Sequence, residues 1–328
     1  MSLPDWLQGP RDRLVGAQRA GRLPAALLIH EDPGAGGSLL ALQFARQLLC
    51  RDHRAMGLAC GECPRCRRVQ QGEHPDIHHI VPDPELKSGQ ISVDQIREAA
   101  ALLAMTAYEG GGSLVVIRPA DAMTRAAGNA LLKTLEEPRA GAHLVLLTTQ
   151  PSRLPATVRS RCLVLRAVAP SRTEALAWLA RQRAAAPGDW EAALDVLGNA
   201  PLAALDHDPA ALRALRDDCL QVLAQAAAGR LDIVRIADRW AKDELALRLP
   251  AIENCLTRCV LDGVEGEGGR RELRPGAHLP GRLPDINIAT ALRLLEGVRE
   301  LHMQLYAPLN RPLALECHLW RWSAALAR

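Results

Sequence analysis

Apolar and polar positions fall in two regimes along the chain. In the first half, short unbroken apolar runs occur at Ala25–His30, Ile77–Val81, Leu114–Ile117 and Leu144–Thr148, with a shorter one at Cys162–Leu165. They are too brief for helices and too uninterrupted for half-exposed strands, so they predict strands buried on both faces. Between them the spacing turns helical. Ser38–Leu49 carries Leu39, Leu42, Leu48 and Leu49 on one side, and Ser92-Val-Asp-Gln95 has the form of a capping box opening a helix to about Ala104. A third helix is expected from about Thr124 to Glu137, where Pro138 stops it. Strands alternating with helices predict an α/β fold with a parallel sheet covered on both faces. Past Ala169-Pro170 only helical periodicity remains. It breaks near Ala186-Pro-Gly188, near Asn199-Ala-Pro201 and over 263–281, a Gly-, Arg- and Pro-rich stretch expected to be a flexible surface loop. The expected organisation is a nucleotide-binding-type domain over 1–167, a small helical domain over 168–208 and a helical C-terminal domain over 209–328.

Composition narrows the function classes. The 328 residues are 48% hydrophobic and 23% charged, with a formal net charge of +3, which describes an ordinary globular chain with no bulk attraction for polyanions. Aromatics are 3%, too few for extended stacking platforms on single-stranded nucleic acid. No apolar run reaches the ~18 residues of a membrane span. Met1–Pro10 carries Asp5, Gln8 and two prolines where a signal peptide needs an apolar block. The chain is therefore expected to be cytoplasmic, and clustered cysteines in a reducing compartment point to metal before disulfides.

The first strand runs into Glu31-Asp-Pro-Gly-Ala-Gly-Gly-Ser38 and then a helix, the setting of a phosphate-binding loop G-x-x-x-x-G-K-[ST]. Gly34, Gly36 and Ser38 fit the turn. Glu31 stands at the first Gly and Gly37 at the Lys that neutralises the β- and γ-phosphates. Glu31 and Asp32 also add negative charge beside the triphosphate position, so nucleotide binding is expected to be weak or absent. A working strand of this class ends in Asp-Glu, the Asp holding Mg²⁺ and the Glu polarising water. Here Leu114-Val-Val-Ile117 is followed by Arg118 and Pro119, a cation that repels the metal and a residue with no acid. A tight βα connection would explain the glycines alone, but two losses at matched positions describe a decayed ATPase.

Cys50, Cys60, Cys63 and Cys66 are spaced C-x9-C-x2-C-x2-C. Consecutive C-x2-C steps let four thiolates close on one tetrahedral Zn²⁺, with no open position, so the ion would be structural. Arg65, Arg67 and Arg68 are placed to offset the net −2 of such a centre. Cys162, Cys219, Cys255, Cys259 and Cys317 lack this spacing and read as packed small apolar residues. His74-Pro-Asp76 and His78-His79 read as a turn and a strand edge, with no spaced fourth ligand for a metal.

Asn129-Ala-Leu-Leu-Lys-Thr-Leu-Glu-Glu-Pro138 and Ser160-Arg-Cys162 resemble the AAA+ clamp-loader subunits of bacterial DNA polymerase III. The cysteine block, the lost Lys and the lost Asp-Glu resemble the branch that does not hydrolyse ATP, not the tau/gamma subunits. Asn310-Arg-Pro312 resembles the family's closing helices, and its lid arginine falls near Pro201. The resemblance implies a RecA-like AAA+ sheet with an inserted zinc module at 50–66, a helical lid and an all-helical collar that oligomerises. It implies a non-hydrolysing stator in a heteropentamer with tau/gamma and delta subunits, part of a DNA-directed DNA polymerase (nucleotidyltransferase) assembly that loads the sliding clamp on primed DNA in replication. Arg161 would be its one catalytic residue, an arginine finger reaching a neighbour's γ-phosphate, where a guanidinium in trans stabilises transition-state charge. An internal salt bridge is the competing reading of Arg161. An active tau/gamma-like ATPase and a zinc-dependent nucleic-acid module are the competing readings of the chain.

Overall fold

In the computed structural model, residues 3–53, 58–84, 89–265, 288–304 and 310–326 are described. The chain forms two compact units, Met1–Pro170 and Ser171–Arg328. The first holds five strands: β1 (Ala26–Glu31), β2 (Ile77–Ile80), β3 (Ser113–Ile117), β4 (Ala142–Thr148) and β5 (Leu163–Ala167). Their order is β2-β3-β4-β1-β5, and every pair is parallel. All five predicted runs are therefore strands within a residue or two of their expected limits. The helices are α1 (Gln8–Arg19), α2 (Gly37–Leu49), α3 (Pro64–Gln71), α4 (Val93–Ala104), α5 (Arg125–Glu136) and the short α6 (Ala156–Arg159).

The strands alternate their side chains between two cores, as a pleated sheet covered on both faces must. Leu27, Ile29, Leu114, Val116, Val145 and Leu147 pack with Leu14, Leu40 and Phe44 of α1 and α2. Leu28, Val115, Ile117, Leu144 and Leu146 pack instead with Ile96 and Leu103 of α4 and Leu131 and Leu135 of α5. Each such leucine removed from water contributes about 1.5–3 kcal/mol, which sets the register of the whole sheet. The capping box forms as expected: the Ser92 hydroxyl accepts the Gln95 N–H and the Gln95 side chain accepts the Ser92 N–H. Thr124 caps α5 through the Ala127 N–H.

The second unit is helical throughout its described residues: α7 (Arg172–Gln182), α8 (Asp189–Val196), α9 (Pro201–Leu205), α10 (Pro209–Ala227), α11 (Ile233–Lys242), α12 (Leu245–Glu265), α13 (Ile288–Gln304) and α14 (Arg311–Leu326). Its polar centre is Asp195 on α8, 2% exposed, ringed by Arg172 of α7, Arg216 of α10 and Arg258 of α12. One carboxylate thus ties four helices together across residue 208. The expected break at 263 falls inside α12, which runs to Glu265; the rest of the expected loop lies outside the described residues. Asn310 accepts the Leu313 N–H through its side chain and starts α14.

Of the five cysteines expected to pack as apolar residues, Cys219 and Cys255 are buried and Cys162 is half-buried against the sheet. The side chain of Cys259 lies outside those described. Cys317 is exposed, a correction with a simple cause. Helix α14 buries Leu315, His318, Leu319 and Trp322, and position 317 points away from that stripe.

Candidate functional site

The phosphate-type loop is present as backbone and filled by the chain itself. The Ala35 N–H bonds the Asp32 carbonyl at 3.0 Å, and Gly36 takes φ 97°, the left-handed conformation that lets the turn enter α2. Glu31, at the end of β1, folds over the turn so that its Oε2 accepts the Gly37 N–H at 2.6 Å. Burial raises the Glu31 pKa, while the Gly37 N–H and the charge of Arg118 pull it back down. Asp32, expected beside the phosphates, turns to accept the Ala169 N–H at 2.9 Å.

At the end of β3, Arg118 donates from Nη1 to the Ser38 hydroxyl at 2.8 Å. A guanidinium therefore engages the oxygen that would ligate a nucleotide's metal. Asp121, the nearest acid after that strand, is engaged by the Thr148 hydroxyl. Pro201, where the lid arginine was expected, is a buried residue opening α9.

The four cysteines do converge. Their Sγ atoms lie within 4.8 Å of one another. The Cys50–Cys60 and Cys60–Cys66 sulfur separations are 3.6 and 3.9 Å. A tetrahedron with ~2.3 Å metal–sulfur bonds has edges of about 3.8 Å, so the donor set fits a closed metal site. The Cys60, Cys63 and Cys66 N–H groups lie 3.3, 3.3 and 3.5 Å from the sulfurs of Cys50, Cys60 and Cys63. Backbone N–H groups of Glu62 and Cys63 draw the Cys60 thiol down to about 7, whereas burial pushes Cys50 and Cys66 up. Cys63 also caps α3, which carries Cys66.

Of the neighbouring arginines, Arg65 and Arg68 are not left to offset the thiolates alone. Arg68 meets Glu109 at 2.6 Å, and Arg65 reaches it at 3.3 Å. Glu109 belongs to a buried polar knot that sequence reasoning missed. Asp76, 4% exposed, accepts the Tyr108 and Glu109 N–H groups at 2.6 and 3.0 Å. His74 accepts the Asp76 N–H on Nδ1, with Nε2 3.5 Å from Glu109; burial lowers its pKa, while Glu109 and Asp76 pull it back up. His74 and Asp76 thus form the expected turn, and His78 and His79 lie in β2 at the sheet edge. The visible signal was the His-Pro-Asp turn; its partner, 33 residues on, had none.

Arg161 follows α6. Its Nη2 meets Glu136 of α5 at 2.8 Å and its Nη1 donates to the Thr157 carbonyl at 2.9 Å, with the side chain 37% exposed. In the isolated chain it makes the internal ion pair.

A family model described as "DNA polymerase III, delta subunit" matches residues 9–170. A Yersinia pestis protein named DNA polymerase III subunit delta' is 33% identical over 98% of this chain and 96% of its own. Proteins of the same name from Pseudomonas aeruginosa and Escherichia coli are 36% identical over 74% of this chain and 72% of their own, and 38% identical over 61% and 59%. Among solved structures, a Thermotoga maritima DNA polymerase III gamma subunit-related protein superposes with a TM-score of 0.52 at 17% identity, covering 98% of this chain and all of its own, a likeness of fold. A third of all residues held in common with the Yersinia pestis protein along nearly the full length of both chains places this chain in the DNA polymerase III subunit delta' family.

Proposed function

We propose that this chain is the non-hydrolysing, stator-like subunit of an AAA+ clamp loader that places a sliding clamp on primed DNA in the cytoplasm. The observation that carries the reading is the occupied loop: Glu31 holds the Gly37 N–H and Arg118 holds Ser38, so a phosphate would have to displace a carboxylate and a Mg²⁺ would meet a guanidinium. The second unit, read as a lid over 168–208 continuous with a collar over 209–328, would bind the tau/gamma and delta subunits. Leu313, Cys317 and Trp320 support that role, because they lie exposed at i, i+4 and i+7 on one face of α14. The four-cysteine cluster would hold a structural Zn²⁺.

Arg161 would serve as an arginine finger. Its pair with Glu136 is solvent-facing on both sides, and such pairs are worth about 0–1 kcal/mol, so a neighbour's phosphates could take the guanidinium at little cost. The test is a complex reconstituted with tau/gamma and delta subunits carrying Arg161→Ala. The variant should fold and assemble, and clamp-stimulated ATP hydrolysis at the one facing site should fall by about 10³-fold or more. Wild-type ATPase and clamp-loading rates would reduce Arg161 to the ion-pair partner seen in the free chain.

A further inference from the structure

We propose that Glu31 is a built-in occupant of the phosphate loop: its carboxylate replaces a phosphate at the N-terminus of α2 and keeps the turn closed without nucleotide. The inference deepens the non-hydrolysing reading of the same loop and rests on it.

Helix N-termini expose N–H groups that lack intrahelical partners and carry positive dipole charge, which is why phosphates settle on them. Here Gly37 is the first residue of α2, and its N–H is taken at 2.6 Å by Glu31 Oε2. That length is typical of a strong bond to an ionised acceptor. The carboxylate is folded tightly against the turn. A Cβ added at Gly37 would lie 2.5 Å from Glu31 Oε2, 2.8 Å from its Cδ and 3.0 Å from its Cβ. The two departures from the motif are therefore one arrangement. Glu at the first position fills the space that a side chain at residue 37 would need, and Gly at residue 37 makes room for Glu.

Arg118 completes the substitution. It holds the Ser38 hydroxyl at 2.8 Å, and its charge stabilises the Glu31 carboxylate. A carboxylate and a guanidinium supply the pair of charges that a phosphate and its metal would bring. The loop conformation then becomes independent of ATP. A subunit built this way stays constant while its neighbours cycle between nucleotide states.

Two variants of the full chain test this, with inorganic pyrophosphate as the probe and amide hydrogen exchange at Gly37 as the second readout. Glu31→Gln keeps the shape and an acceptor oxygen but loses the charge, so its Gly37 amide should exchange faster than in wild type and more slowly than in the Gly variant, and it should show no pyrophosphate response. Glu31→Gly vacates the space. Its Gly37 amide should exchange at least ~10-fold faster without ligand, and pyrophosphate at ten times its Kd should raise the melting temperature by about 3–5 °C. Unchanged exchange in the Gly variant, or no melting shift with pyrophosphate, overturns the proposal. Pyrophosphate uptake by the Gln variant also overturns it, since charge alone would then have kept anions out. ATP turnover by the wild-type chain is a separate failure: it defeats the non-hydrolysing reading and not the occupancy of the free loop by Glu31.

Discussion

Replacing Asp195 with Ala should destabilise the second unit more than any other single polar substitution in it. Asp195 is 2% exposed, and its Oδ1 meets Arg172 at 2.8 Å while its Oδ2 meets Arg216 at 3.1 Å, with Arg258 also on Oδ1. Removing the carboxylate leaves three guanidiniums converging on a space with no anion. Arg172 retains the Glu191 carbonyl and Arg216 retains Asp217, but neither replaces the shared charge. Burial already disfavours the charged form of Arg172 with Asp195 present. Breaking a buried ion pair from one side costs about 3–5 kcal/mol, chiefly because the remaining charge stays desolvated. At about 2–4 °C per kcal/mol for a unit of this size, the melting temperature should drop by about 6–20 °C. Urea unfolding followed by tryptophan fluorescence isolates the effect, since Trp6 alone among the six tryptophans lies outside the second unit. Asp195→Asn should rescue little, because its amide hydrogens would face guanidinium hydrogens. Asp217→Ala is the control: that carboxylate is 48% exposed, and its loss should cost under about 1 kcal/mol. A loss under about 1 kcal/mol for Asp195→Ala would refute the reasoning.

Two further outcomes follow from the first unit. Purified chain should carry one equivalent of zinc, and Cys63→Ser should lower that content and loosen α3, which Cys63 also caps, while the sheet stays folded because every strand lies outside 50–66; elemental analysis finding no metal in wild-type protein prepared without chelator would sink this. Gly37→Lys should not create ATPase activity, and by displacing Glu31 it should cost about 1–3 kcal/mol in thermal melts, a loss that adding Glu31→Gly recovers; ATP turnover by the single variant would contradict it.

Much of the first unit was legible because its strands are short, apolar on both faces and punctuated by glycine and proline. Where the pattern depends on partners far along the chain, it was not. Helix α1 buries only Leu14 and Val15, too few to announce a periodicity. Helix α3 is mostly arginine, glutamine and cysteine, and it exists because Cys63 caps it and Pro64 starts it. The cysteines could be read because their ligand spacing is local. The lost Lys and Asp-Glu could be read as absences, but not what replaced them. Nothing in the chain order says that Glu31 bends to Gly37, that Arg118 crosses 80 positions to Ser38, or that Glu109 meets Arg65 and Arg68. Asp195 was invisible for the same reason: its three arginines come from three helices, and an aspartate in a helix reads as a solvated face.

Arg161 and Glu31 show why an ion pair's surroundings matter more than its presence. Both are charged groups engaged within the chain, and sequence reasoning weighed both against a nucleotide. Glu31 lies folded against the turn, so close that a Cβ at residue 37 would sit 2.5 Å from its Oε2, and displacing it costs a charge-assisted bond. Arg161 and Glu136 face solvent, where water and salt compete for both and the bond is worth little. The two charges differ in how firmly the chain holds them: the loop carboxylate against a buried turn, the arginine against solvent. A loop closed on its own carboxylate and an arginine held only by a solvent-facing pair are therefore compatible in a single unit.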